Sequence, residues 1–239
     1  MSADPTADPV ERRAWEALGQ VMDPELDEAI TDLGFVHRWQ WESGAVSVHL
    51  RLPTFFCAPN FAWLMVTDAR DALMSVEGVD SVEVSLDDYF ASDEINTGVA
   101  ASVGFDSCFA GEVDGDLDEL RATFRAKAYV AALERTCRDL RRRGVSLPAL
   151  GEVRLGDLPA GPDTDRLTRR RGDLGLPAGP DDLLLVDASG AAIAVPELLG
   201  WLRRAQTVRV NMEGNGELCR GLLHTRYRLA DLAGAGVSG

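Results

Sequence analysis

Histidine is nearly missing from this 239-residue chain; only His37, His49 and His224 occur. Lysine is rarer still, with Lys127 alone. The cysteines are Cys57, Cys108, Cys137 and Cys219, with no CxxC pair and no Cys/His pair at zinc-finger spacing. No closed four-ligand metal site is therefore written locally. No apolar run nears the roughly 20 residues that span a bilayer. Positive charge is short overall: 24 Lys and Arg against 39 Asp and Glu leave a formal charge of −15. That balance has no surplus of cations to neutralise phosphates, which argues against nucleic acid as the main partner. It disfavours an anionic membrane surface for the same reason.

Several catalytic motifs are also missing. The chain has no GxSxG, no P-loop, no GxGxxG after a strand, no HExxH and no Glu-x-x-His pair. With three histidines and no catalytic constellation, a conventional enzyme is not expected. A thiol enzyme would need a base, and His49, the nearest in sequence to Cys57, has nothing to orient it. Met1 to Glu11 is acidic and polar, unlike a secretory signal. A cytoplasmic location with reduced thiols is the expectation.

What is present is enough apolar sequence, 46%, for a sizeable core. Residues 1–90 hold 17 acids and 5 bases, whereas 91–239 hold 22 acids and 19 bases. The asymmetry suggests two parts, 8–90 and an extension over 91–239. Gly111–Asp116 and Leu155–Pro180 are candidate linkers.

Local patterns predict the elements. Asp8 suits an N-cap, Pro9 the first helical position, and Glu11 a capping box. A helix through Val10, Ala14, Leu18 and Val21 should stop at Asp23-Pro24. Phe35–Trp41 and Ala45–Leu52 read as strands around a Glu42-Ser43-Gly44 turn. In the second strand Val46, Val48, Leu50 and Leu52 share one face; Ser47, His49 and Arg51 share the other. A helix follows from about Asn60 to Ser75, and Val82, Val84 and Leu86 mark a strand. The first 90 residues thus predict a small α-β-β-α-β layer of α/β (α+β) class. Beyond them come a segment of small residues over 96–111 and a long helix from Asp118 to about Arg143. Leu183–Val186 reads as a strand, Pro196–Arg204 as a helix, Thr207–Met212 as a strand and Glu217–Tyr227 as a helix. A mixed α/β extension follows from these.

Cys57 is the thiol of most interest. It lies in a loop between a strand and a helix N-terminus, where free N–H groups and the helix dipole favour a thiolate. Its bland alternative is a small buried hydrophobe among Phe55, Phe56 and Phe61. Cys108 could fold back towards Cys57 as a second ligand, or simply pack. Cys137 falls on the long helix's apolar stripe and Cys219 opens the last helix; both read as structural. His37 and His49 lie on neighbouring strands, a weak metal pair more in keeping with a solvated sheet face. The arginine runs 141–143 and 169–171 read as solvated charges or as contacts to an acidic partner.

Two strings carry a resemblance: Val21-Met22-Asp23-Pro24-Glu25-Leu26 and Ile30-Thr31-Asp32-Leu33-Gly34-Phe35-Val36. Together they resemble the signature of the metal–sulfur cluster assembly family related to SufT and PaaD. The order of predicted elements over roughly residues 10–90 agrees. The family's loop usually has Thr-Pro-x-Cys-Pro, whereas this one reads Thr54-Phe55-Phe56-Cys57-Ala58-Pro59, with one proline missing and one displaced. The resemblance implies a factor that assembles or transfers iron–sulfur clusters on client proteins, with Cys57 as working thiol and metal ligand. Asp23, Glu25, Asp32 and Thr54 would shape the surface beside it. One thiolate cannot hold a cluster that normally takes four ligands. Transient rather than stable cofactor binding is implied, completed by a homodimer, a client thiol or a small thiol. Extended members resemble accessory, maturation proteins of bacterial multicomponent monooxygenases, so such an oxygenase is an alternative client.

Overall fold

The computed structural model describes residues 8–109 and 117–235, with side chains to residue 228. The expected linker Gly111–Asp116 lies outside them. The fold is mixed α/β, with an N-terminal α/β region and a helical C-terminal part. Two compact units form: the described residues up to 109 together with 215–235, and residues 117–214. This differs from a single cut after residue 90. The chain after 214 carries Arg220 and Arg226, whose partners Glu28, Leu52 and Asp88 lie in the first unit.

In the first unit, helix α1 (Pro9–Leu18) starts as expected, with Asp8 Oδ1 accepting from the Val10 N–H at 2.7 Å. Glu11 Oε1 accepts from Trp39 Nε1 at 3.2 Å, so Glu11 serves the neighbouring strand. The helix stops at Gly19, earlier than Asp23-Pro24. Val21 has already left it, because its carbonyl accepts from Ile30 in a small hairpin. That hairpin is β1 (Met22–Asp23) against β2 (Glu28–Ala29).

Strands β3 (Val36–Glu42) and β4 (Ala45–Arg51) form an antiparallel pair, and β5 (Ser81–Asp87) lies parallel on the other side of β4. Ser43 and Gly44 both take positive φ, 49° and 91°, as a two-residue hairpin turn demands. A side chain at 44 would also stand 2.5 Å from Asp80 Oδ2. Parallel pairing of β4 and β5 needs a crossover, supplied by α2 (Pro59–Met74). Val46, Val48, Leu50 and Leu52 are all buried, as their alternation predicts. With Val84, Leu86, Ala14, Leu18 and the α2 residues Met65, Ala69 and Leu73 they make up the buried apolar set of this unit.

The segment read as small residues over 96–111 is ordered where described, as α3 (Ser92–Ala100) and α4 (Phe105–Cys108). Asn96 explains part of that order. Its amide accepts from Leu86 N at 2.8 Å and donates to Leu86 O at 3.1 Å, a one-residue substitute for strand pairing.

The second unit is built on α5 (Leu117–Arg142), close to the predicted long helix, with α6 (Leu147–Leu150) and α7 (Pro162–Asp173). Residues 155–180 are not a linker, since α7 and a 3-10 turn at Leu155–Asp157 occupy them. Leu183–Val186 forms only isolated bridges, Arg154 to Leu183 and Val186 to Ala192. The predicted strand Thr207–Met212 is helical, inside the 41-residue α8 (Val195–Ala235). Its β-branched residues misled the pattern; Met212, Val208, Ala128 and Ala131 instead form a small apolar cluster at helical spacing.

Arginine also departs from expectation. Arg141–Arg143 are exposed, but Arg171 is fully buried and Arg170 nearly so. Arg171 donates to the carbonyls of Pro177 at 3.0 Å, Leu183 at 2.7 Å and Leu184 at 3.2 Å. It holds together loop carbonyls that have no helix or sheet to satisfy them. Replacing Arg171 with Met should destabilise the chain by about 3 kcal/mol or more, because the Pro177 and Leu183 carbonyls lose the donor that Arg171 supplies. Denaturant unfolding measures it, and Arg169→Met, at an exposed neighbour, should change stability little.

Candidate functional site

The loop between β4 and α2 presents Cys57. Leu52 and Pro53 are buried, which anchors its start. Thr54 Oγ1 accepts from Phe56 N at 3.2 Å and lies 3.6 Å from Cys57 Sγ. The Tyr89 hydroxyl donates to the Cys57 carbonyl at 2.6 Å, which fixes the backbone. Ala58 caps α2 and Pro59 opens it, so Cys57 sits one residue outside the helix. The thiol is half-buried, and the rings beside it do not seal it: Phe55 is 53% exposed and Phe56 92% exposed.

The C-terminal part of α8 closes on this loop. The Arg226 guanidinium stacks on the Phe55 ring at 3.8 Å. It donates to the Leu52 carbonyl at 2.9 Å and to the Asp88 carbonyl. Cys219, Leu223 and Arg226 follow at i, i+4 and i+7, on one face of the helix. Gly216 permits a close approach, since a Cβ there would stand 2.5 Å from Glu28 Oε1. Arg220 pairs with that same Glu28 and with Glu217. The string Gly214-Asn215-Gly216 suggests a break before the last helix, yet α8 runs through it.

Asp23 is buried within the β1–β2 hairpin. Its Oδ1 accepts from Glu25 N at 2.9 Å and Leu26 N at 3.0 Å, the turn-capping role that the short Asx side chain suits. Burial pushes its carboxyl up to about 6, aided by the charges of Glu25 and Glu28 and opposed by the two backbone bonds. Glu25 and Asp32 are exposed. Burial also pushes the Cys219 thiol up to about 11, and the charges of Asp23, Cys57 and Glu25 add to it. Those couplings put Cys219 in one neighbourhood with Cys57 and Asp23. The sequence reads Cys219 as structural, although it follows a glycine-rich stretch and resembles Cys57 in its predicted place at a helix opening.

Cys108 packs among aromatic rings. Its Sγ would be 2.4 Å from a Cβ built on Gly98, whose other near neighbour is Trp63. Phe105 stacks on Phe109, and both meet Trp63 edge to face. Cys137 is fully buried in the second unit, and burial pushes its thiol up to about 12, as packing on the apolar stripe predicts.

His37 and His49 do approach each other, with ring centroids 5.8 Å apart. A bulge between Val36 and Arg38 accounts for it. It breaks the alternation, and His37 reaches Asp87 Oδ2 through Nε2 at 2.8 Å. His49 Nδ1 reaches the same carboxylate at 3.1 Å. The three ligand atoms lie within 4.8 Å of one another, a two-imidazole, one-carboxylate set able to hold a metal ion. Arg51, whose charge acts on His37, opposes a second cation there. Asp87, the shared acceptor, was the residue that sequence pairing alone could not supply.

Residues 11–86, about a third of the chain, match the family model of an iron-sulfur cluster assembly protein. The match covers α1 to β5 and includes Asp23, Thr54 and Cys57. It supports a role in iron–sulfur cluster assembly. No curated protein matches the chain. Among the described residues, no helix is long and apolar enough to cross a membrane.

Asp23 sets a pH dependence with a definite sign. A carboxyl that titrates near 6 when folded and at its ordinary 3.8 when unfolded makes ionisation costly to the fold. The cost is absent below pH 3.8, grows through the interval, and levels off above 6 at about 3 kcal/mol. Asp23→Asn keeps the acceptor for both backbone N–H groups and removes the charge. It should be more stable than wild type at pH 7.5, with the advantage vanishing near pH 4, in urea unfolding followed against pH. An advantage independent of pH would contradict this account.

Proposed function

We propose, on the match of residues 11–86 to the iron–sulfur cluster assembly family model, that this chain holds a cluster transiently at Cys57 and passes it to a client protein. The observation that carries this reading is the half-exposed Cys57 thiol on an anchored loop inside the family-matched segment. Cys219, coupled electrostatically to Cys57, is a candidate second ligand. Its raised pKa keeps it protonated at neutral pH until an iron displaces the proton. Two thiolates leave two of the usual four cluster positions open. A second copy of the chain, a client thiol or a small thiol completes them, so the assembly is made to be temporary.

Transfer is then ligand exchange without redox change. Each client thiol gives up a proton as its sulfur binds iron, and Cys57 and Cys219 recover protons as theirs leave. The chain acts as a carrier rather than an enzyme, on cytoplasmic clients. Phe56, 92% exposed next to the thiol, offers a client an apolar anchor.

Anaerobic reconstitution with iron and sulfide tests the reading. Wild type should gain visible absorbance and bound iron, Cys57→Ser should fall to background, and Cys219→Ser should bind with reduced retention. Cluster loading unchanged in Cys57→Ser would end this reading. Phe56→Ser should load normally but pass its cluster to an apo-ferredoxin acceptor about tenfold more slowly, the size expected for one lost contact anchor.

A further inference from the structure

A cleft of about 510 Å³ opens in the first unit between the start of β3 and the tail of α8. Its size suits a small ligand. Its lining is unlike the rest of this unit, whose first 90 residues carry 17 acids and 5 bases. Three arginines, Arg51, Arg220 and Arg228, line it together with His37, His224 and Tyr227, and no carboxylate does.

The three guanidinium groups are not equally neutralised. Arg220 is spoken for by Glu28 and Glu217. Arg51 stacks over the Tyr227 ring at 4.5 Å, and Arg228 faces only the Nε2 of His224 at 3.3 Å. Neither has a carboxylate within ion-pair distance among the described residues. The wall also holds two buried donors with no acceptor, Arg51 Nε and the Tyr227 hydroxyl. A buried donor left unmade is costly. A small shift of those two side chains towards an incoming acceptor relieves both.

We propose that this cleft binds a small multivalent oxyanion, with Arg51 and Arg228 as the principal charged contacts and Tyr227 as a hydroxyl donor. A planar guanidinium recognises paired oxygen atoms of a phosphate or a carboxylate equally well, so the class is defined by oxygen geometry and charge. The assignment owes nothing to Cys57 and stands apart from the cluster reading.

Calorimetric titration of the full chain with inorganic pyrophosphate and, separately, citrate tests it, each against sodium chloride of matched ionic strength. Saturable one-to-one binding with a midpoint below about 1 mM is expected for at least one of the two. Pyrophosphate alone would mark a phosphoryl ligand and citrate alone a polycarboxylate; either supports the site. Arg228→Gln, at an exposed position, and Arg51→Met should each weaken binding about tenfold. Arg38→Gln, exposed and outside the cleft, should not. Absence of saturable binding for both anions would overturn the proposal. So would an affinity unchanged in Arg228→Gln, which leaves the Arg51–Tyr227 packing intact.

Discussion

One guanidinium holds the Cys57 end of the first unit in place. Arg226 stacks on Phe55 and donates to the carbonyls of Leu52 and Asp88, so it ties the end of β4, the residue after β5 and the Cys57 loop together. Neither carbonyl has a strand partner to serve it, and a charged donor satisfies both at once. Tyr89 finishes the task from the other side by bonding the Cys57 carbonyl. A loop fixed at its backbone on two sides can leave its thiol partly exposed without collapsing over it. The missing proline at position 55 matters less than the family pattern suggests, because contacts from α8 and Tyr89 set the loop's shape.

The surroundings of the thiol are strongly acidic yet not simply charged. Burial raises the Asp23 carboxyl to about 6 and the Cys219 thiol to about 11, so at neutral pH the thiol keeps its proton while the carboxyl is largely ionised. Arg220, bound to Glu28 and Glu217, supplies fixed positive charge at the same helix. On the sheet, Asp87 satisfies two imidazoles, and three arginines line a cleft that His37 shares. Opposite electrostatic characters thus coexist within one small unit.

The second unit meets a different difficulty. Its described residues form no sheet, so loop carbonyls and long polar side chains must find partners within helices and turns. Arg171 serves three carbonyls, and Arg209, buried, pairs with Glu134 and Glu213. Such pairs cost much to desolvate but more to break singly. The Tyr129 hydroxyl adds a 2.8 Å bond to the Val186 carbonyl. An apolar cluster including Leu133, Leu167 and Leu198 surrounds these contacts.

Local order was legible in the sequence wherever one short-range rule dominated. The alternation Val46 to Leu52, the Asp8-Pro9 helix start, the Ser43-Gly44 turn and the position of Cys57 before a helix all follow from neighbours within a few residues. The strings around Asp23 and Asp32 likewise carried a resemblance that the family match over residues 11–86 supports, and Asp23 keeps the turn-capping role its chemistry suggests. Tertiary structure decided everything that depends on distant partners. It made Thr207–Met212 helical, because burying Val208 and Met212 against α5 outweighs the weak strand preference of β-branched residues. It buried Arg171, whose carbonyl partners lie up to 13 residues away, and gave both imidazoles to Asp87, on a strand that follows the crossover helix. It also brought Cys219, far along the chain on the last helix, within electrostatic reach of Cys57, which no periodicity or spacing encodes.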